Sequence, residues 1–328
     1  MALPFDLLTE VKEAKTIGIS GHIRPDGDCI GSTCAMYLYL KKCCPDKSIK
    51  LYLENPADIF DDIPCFGEID CTYDAAEPFD VFIAIDCEKS RLGKAEAFFD
   101  QARKTINIDH HISNEKGSGD VNYVVPSASS ASELVYDLLE KDMLDADIAA
   151  AIYLGIAHDT GVFQYSNTSP KTLRIVADLL EYQFDFSKLL DRTFYEKTYH
   201  QNQILGRALL ESIIFMNRKC IMSAIDKKTL EFYKVGPKDL EGIVSQLRYT
   251  KEVECAIFMY ELEPQVWKVS LRSNGLVDVA KVAGFFGGGG HVRAAGVTMN
   301  GTCHDVINNL SGFIEKQLEE AGAWQTES

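Results

Sequence analysis

The chain has 328 residues, 46% of them hydrophobic and 10% aromatic, and carries a formal charge of −16. That apolar content supports a sizeable core and excludes disorder on this scale, and at roughly 100–200 residues per domain the length suggests two domains. The acidic balance argues against tight binding of long duplex nucleic acid, which leans on many lysine and arginine contacts to phosphate. It still allows a small anion held by a few cations and a metal.

The first segment, MALPFDLLTEVKEAK, carries acidic residues early and has no basic stretch followed by an apolar core, so it does not read as a secretory signal. TIGIS at 16–20 is a short apolar run bounded by glycine. GSTCAMYLYLKKC has helical length and periodicity, and IKLYLEN is strand-like. FDVFIAIDC at 79–87 and KTINIDHH at 104–111 are further, almost continuous apolar runs. Short apolar strands separated by helical segments predict βαβ units and a parallel sheet. The serine-rich stretch VPSASSAS supplies hydroxyl caps for a helix at ELVYDLLEK, and DADIAAAIYLGIAHDTG reads as a second helix closed by a glycine-bearing turn. Its apolar run at 148–157 is the longest in the chain, yet too short for a bilayer, which needs about 20 residues.

Beyond Pro170 the pattern becomes largely helical, and its later part, 186–215, reads as a connector between domains. From about 216 a second unit begins, with KCIMSAI, DLEGIVSQLRY, VECAIFMYEL and WKVSLRS in succession. It continues through a glycine run, Gly287–Gly290, read as a loop, to a final amphipathic helix near 304–321. The expected fold is therefore α/β: a parallel-sheet domain over 1–185, the helical connector, and a smaller αβ domain over 216–328. Ten cysteines are scattered with no C-x-x-C pair, only Cys43 and Cys44 being adjacent. Free thiols in a reducing, cytoplasmic compartment are the reading.

In open parallel sheets, ligands collect beyond the C-terminal ends of the strands. His22, Asp26 and Asp28, in SGHIRPDGDCIGS, follow the first strand; Asp86 ends VFIAID; Asp109, His110 and His111 end TINID; Asp159 follows the helix that closes this half. Any one of them alone reads as a turn residue or helix cap. Together, so many carboxylates would repel one another and lose solvation, and Arg24 is the only nearby cation before Lys89 and Arg91. Two divalent cations relieve that cost, and such pairs, about 3.5–4 Å apart, activate water and steady a phosphoryl group. Carboxylate and imidazole donors without a cysteine suit Mn²⁺ best, with Mg²⁺ or Co²⁺ as alternatives, and Cys29 is expected to point away from Asp28. In FFGGGGHVRAAG, 285–296, the glycines let backbone N–H groups approach an anion. His291 and Arg293 add donors, and Arg272 in VSLRSNG should reach the same face. The alternative for that stretch is a flexible turn.

HIRPDGD (22–28), AID (84–86), DHH (109–111), HDTG (158–161) and GGGGHVRAAG (287–296), in this order, resemble the DHH family of phosphoesterases, the last stretch being like its associated C-terminal domain. The likeness runs from about 15 to 320. Within the family the two-domain architecture is similar to the bacterial bifunctional oligoribonuclease and PAP phosphatase type, and equally to phosphodiesterases acting on cyclic di-AMP or pApA. The resemblance implies that His22, Asp26 and Asp86 hold one Mn²⁺ and that Asp28, Asp86, His110 and Asp159 hold the other. Asp109 would orient its histidine neighbours and His111 would face the scissile phosphate, so that Asp109, His111 and Asp86 form the catalytic set. Arg272, Gly289, Gly290 and His291, with Arg293 beside them, would grip the terminal phosphate or nucleotide.

The implied activity is hydrolysis of short oligoribonucleotides to 5′-mononucleotides and of 3′-phosphoadenosine 5′-phosphate to AMP. A cyclic di-AMP phosphodiesterase is one alternative, and a catalytically silent nucleotide-binding regulator is another, although such a protein should lack some of the metal ligands. Family II inorganic pyrophosphatases share the first domain but carry a lysine- and arginine-rich motif in place of GGGGH. The implied partners are short oligoribonucleotides or small adenine nucleotides, with no long duplex and no membrane. Relatives are often homodimers, and the aromatic-bearing helices between 182 and 215 would serve either pairing or the core.

Overall fold

The strands of the first half come from the short apolar runs, and burial on both faces explains why those runs are apolar throughout rather than alternating. The computed structural model describes residues 5–75 and 77–323. Six strands, β1 (Thr16–Ser20), β2 (Ser48–Tyr52), β3 (Ile69–Asp70), β4 (Val81–Ile85), β5 (Lys104–Asp109) and β6 (Val121–Val124), pair all in parallel in the order β3-β2-β1-β4-β5-β6. Ile17, Ile19, Ile83, Ile85, Ile106 and Ile108 face one core with the helices Gly27–Cys43, Ala131–Leu138 and Ala146–Asp159. Phe79, Phe82, Ala84 and Phe99 fill the other face. Each of these isoleucine and phenylalanine side chains contributes about 1.5–3 kcal/mol on burial.

Strand order reverses between β1 and β4, and a reversal of this kind opens a crevice at the carboxyl ends of the strands. Residues 20–28 and 86 are delivered to its two lips. The Gly27–Cys43 and Ala146–Asp159 helices cross there at short range. A Cβ on Gly31 would collide with the Ala151 carbonyl, and one on Gly155 would lie 2.6 Å from an Asp28 carboxylate oxygen. Missing side chains thus let Asp28 and Asp159 converge.

The chain divides into two compact units, Met1–Glu196 and Lys197–Ser328. The helical stretch 186–215 is shared between them. Phe186–Leu190 and the π-helical turn Asp191–Tyr195 belong to the first unit, whereas Tyr199–Leu210 inserts Ile204 and Ala208 into the core of the second. The second unit is a mixed sheet in the order β11-β12-β10-β9-β8-β7, built from β7 (Ile213–Phe215), β8 (Cys220–Ile225), β9 (Cys255–Glu263), β10 (Val266–Ser273), β11 (Gly289–His291) and β12 (Ala294–Asn300). Only β8 and β9 run parallel. The helices Val279–Phe285 and Cys303–Glu320 cover one face, and Tyr199–Leu210 and Ile243–Arg248 cover part of the other. The glycine run is not wholly a loop. Gly289 and Gly290 enter β11, because a Cβ on Gly290 would meet the Ala294 carbonyl and its φ of 149° suits glycine, so the short strand can close on β12. Among the described residues, no helix is long and apolar enough to cross a membrane.

Candidate functional site

His22 leaves β1 buried, and its Nδ1 lies 2.8 Å from the Ile23 carbonyl. Donation from Nδ1–H fixes the ring and leaves Nε2 for a ligand. That Nε2 is 3.6 Å from Asp26 Oδ1 and 3.4 Å from Asp86 Oδ2. Asp26, exposed on its outer side, also caps the Gly27–Cys43 helix by accepting from the Asp28 and Cys29 amides. Asp28, two residues further on, is buried and is gripped from elsewhere: its two oxygens accept from the amides of Ala131 (2.6 Å) and Ser132 (3.0 Å) at the start of the Ala131–Leu138 helix. That helix terminus supplies both a positive dipole end and free N–H donors.

Asp86 stands between two groups. Its Oδ2 faces His22, while Oδ1 lies 3.4 Å from His110 Nε2 and 3.7 Å from His111 Nδ1. The residue adopts φ 64°, a left-handed conformation uncommon for a side chain other than asparagine or aspartate. His110 Nε2 is also 3.3 Å from Asp159 Oδ2 and 3.9 Å from Asp28 Oδ2. All six residues expected from the sequence as metal ligands therefore converge at one place, at the ends of β1, β4 and β5 and of the Ala146–Asp159 helix.

Electrostatics in this cluster reveal a shortage of positive charge. Burial alone would lower the His22 and His110 imidazoles, yet the carboxylates around them override it and push each up to about 10. Burial, then the charges of Asp86 and Asp159, raises Asp28 well above the carboxylate range, and burial raises Asp159 to about 6. Asp86 Oδ1 is buried without a hydrogen-bond partner. An orphaned carboxylate oxygen amid imidazole nitrogens and other carboxylates fits a divalent cation of the Mn²⁺ or Mg²⁺ kind.

Cys29, on a different side of its helix from Asp28, still borders the cluster: its sulfur lies within 4.8 Å of donor atoms of His22 and Asp86, against the bare Cα of Gly21. The first helical turn carries residue 29 about 100° round from Asp28, back over the end of β1. Burial raises this thiol well above its ordinary value, which keeps it in the neutral form that binds metals poorly.

Asp109 is fully buried and already occupied. It accepts from the His110 and His111 amides, from His111 Nδ1 at 2.7 Å and from Asn114 Nδ2 at 2.7 Å. It therefore holds His111 rather than offering itself as a ligand, and leaves His111 Nε2 as that ring's unused nitrogen. Asn107 extends the network, donating to the Ala84 and Cys87 carbonyls and accepting from Asn114 and Ser118. Sequence reasoning missed Asn107 and Asn114, although a lone amide inside the apolar run TINID was a usable signal. It also missed His158, whose ring, lowered to about 4 by burial, packs on Gly27 between Phe60 and Phe194.

In the second unit, strand register places Arg272 opposite Ala294, and Ala294 opposite His291. Arg272, His291, Gly289 and Gly290 are thus neighbours on the β10–β12–β11 edge. Arg293 lies in the turn between β11 and β12, near Gly275.

Residues 16–156 match the DHH family, N-terminal domain, and residues 219–320 match the DHHA1 domain. The chain is 32% identical, over 325 residues, to the bifunctional oligoribonuclease and PAP phosphatase NrnA of Thermus thermophilus, covering 96% of this chain and 95% of that protein. It belongs to the DHH family. The protein of the same description from Bacillus subtilis is 29% identical over 306 residues, 90% of this chain and 92% of its own. The crystal structure of an exopolyphosphatase-related protein from Bacteroides fragilis matches the fold with a TM-score of 0.84, covering 96% of each chain at 24% identity. As a DHH-family chain with this His/Asp cluster, the protein is a metal-dependent hydrolytic enzyme.

Proposed function

We propose that the protein hydrolyses short oligoribonucleotides, pApA among them, to 5′-mononucleotides, and 3′-phosphoadenosine 5′-phosphate to AMP, using two divalent cations, Mn²⁺ by preference. The observation that carries this reading is Asp86, whose two oxygens face His22 on one side and His110 on the other, as a carboxylate shared by two cations would. His22, Asp26 and Asp86 would hold one ion, and Asp28, Asp86, His110 and Asp159 the other. When bound, such a pair lowers the pKa of the attacking water and offsets charge developing on the phosphoryl oxygens.

The chain's own groups do the rest. Asp109 raises the His111 pKa and fixes its ring through Nδ1, so that Nε2–H can donate to a phosphoryl or leaving oxygen. Asn114 and the 110–111 amides keep the Asp109 carboxylate in place. Arg272, His291 and the glycine amides, with Arg293 beside them, are suited to the terminal phosphate. No serine or cysteine nucleophile is required. The names of the NrnA relatives support the substrate class. The acidic charge supports short substrates over long duplexes, and scattered free cysteines support a cytoplasmic setting. A homodimer is the proposed assembly, to be checked by light scattering.

The test is one assay panel on the full chain with Mn²⁺, comparing pApA, cyclic di-AMP, 3′-phosphoadenosine 5′-phosphate and RNA of two to five nucleotides. Release of mononucleotides from pApA and the short RNAs is expected. Turnover of the bisphosphate alone would remove the nuclease reading, faster turnover of the cyclic dinucleotide would replace it with a signalling role, and no turnover at all would leave a silent nucleotide binder.

A further inference from the structure

The helices Gly27–Cys43 and Ala146–Asp159 meet at two points, one turn apart along the first of them. At Gly31 backbone touches backbone, since a Cβ there would lie 2.4 Å from the Ala151 carbonyl oxygen and 2.7 Å from the Gly155 nitrogen. At Gly27 the partner is a ring: a Cβ would lie 2.2 Å from His158 Cγ and 2.5 Å from its Nδ1. Gly27 carries no positive φ, so the ring and not the backbone conformation demands glycine there. Two contacts fix the angle between the helices as well as their separation. The ring supplies the contact at the end that carries the ligands, because Gly27 stands between Asp26 and Asp28 and His158 directly precedes Asp159.

The ring is itself held. Its Nε2 lies 3.1 Å from Thr193 Oγ1, and that hydroxyl gives its hydrogen to the Leu189 carbonyl at 2.8 Å, so Nε2–H donates and Thr193 accepts. Phe60 and Phe194 bracket the ring, with centroids 5.5 and 5.4 Å from its own. Arg192, beside Thr193, ion-pairs with Asp61 and Asp62 and so ties together the two segments that supply these aromatics. His158 offers the cluster no nitrogen: Nε2 is engaged by Thr193, and Nδ1 lies against Gly27. Its place is beside the carboxylates, not among the donors.

We propose that His158 is a positioning residue for the cation site: its ring is the spacer that sets how far Asp159 stands from the Asp26–Asp28 segment, and Thr193 fixes that spacer from outside the cluster. Small divalent cations bind well only where their donors sit at near-ideal separations, so a spacer between two ligand-bearing segments governs affinity without touching the ion. The inference rests on the two-cation reading above and deepens it, since cation affinity then depends on a histidine and a threonine that are not ligands.

The test is calorimetric titration of Mn²⁺ into the full-length, chelator-stripped protein, with a thermal melt of each variant recorded beside it. Thr193→Val, which keeps the shape but cannot accept from Nε2–H, should weaken Mn²⁺ binding about tenfold, the usual value of support behind a ligand. His158→Ala should weaken it further, and His158→Gln, whose amide N–H can reach Thr193, should recover part of that loss. Gly27→Ala drives a methyl into the ring, so it should weaken binding in the wild-type background and much less in the His158→Ala background, where there is room. Unchanged Mn²⁺ affinity in both Thr193→Val and His158→Ala with only the melt lowered, or equal losses from Gly27→Ala in both backgrounds, would overturn the spacer. Should His158→Ala fail to fold, Thr193→Val decides alone. A wild type that binds no Mn²⁺ would overturn the two-cation reading and the spacer with it, whereas the other adverse outcomes strike the spacer alone.

Discussion

The two units place polar groups in opposite ways. The first buries charge: His22, Asp28, Asp86 and Asp109 are almost inaccessible and are held by backbone amides or by each other. The second leaves its donors open: Gly289, Gly290 and His291 are exposed on a short edge strand, and Arg293 in the turn that follows it. A crowded, desolvated cluster of carboxylates is costly until cations enter it. An open face of bare backbone costs little, which on the proposed function would suit capture and release of small substrates. On the proposed function, chemistry and recognition are thus separated by burial as well as by sequence.

The largest effect expected is at Asp86. Asp86→Asn should reduce turnover of every substrate at least about 10³-fold and lower the Mn²⁺ stoichiometry measured by atomic absorption, since one carboxylate serves both sides of the cluster. Retained activity would break the contrast at its centre. Next comes Asn114→Ala, which removes a donor to Asp109 and should cost about 10–100-fold in kcat with metal content intact. Adding it to His111→Ala should cost nothing further, because both act through the same ring. On the open side, Arg272→Ala should raise KM by about 10–100-fold, the value of a charged hydrogen bond, and spare kcat and metal binding. A fall in kcat instead would show that the second unit takes part in the chemistry.

The smallest effect concerns stability. Glu133 is buried; burial favours its neutral form, but hydrogen bonds from Ser129 and Thr172 and the Lys171 ammonium win and hold its carboxyl below the usual range. A lowered folded pKa means that its stabilisation is present above the unfolded value, 4.5, and is lost as pH falls through the folded one. Thermal melts from pH 6 down to 3 should therefore decline less steeply for Glu133→Gln than for wild type.

Much of this was legible in the sequence. The apolar runs fixed a parallel sheet because strands buried on both faces cannot alternate, and His22, Asp86 and His110 could be placed because they end such runs. What escaped reading depends on contacts between distant segments. The amides of Ala131 and Ser132 that grip Asp28 come from a helix about a hundred residues away, and no local pattern marks them. Asn114 reaches Asp109 through a turn whose shape the residues alone do not state. The edge strand at Gly289–His291 was hidden because glycines carry no strand signal, and its pairing is set by the absence of side chains. That the Cys29 sulfur borders His22 and Asp86 was equally unmarked, because it depends on how the helix start packs over Gly21 at the end of β1.

The backbone at Asp86 has an evolutionary corollary. A left-handed main chain there tolerates glycine, asparagine and aspartate, and penalises branched or bulky replacements regardless of their chemistry. Glutamate would lengthen the arm and strain the kink, glycine would abolish the donor, and asparagine would forfeit the negative charge. Drift at this position therefore has nowhere useful to go: the replacements the backbone accepts lose the carboxylate, and the one that keeps it strains the turn.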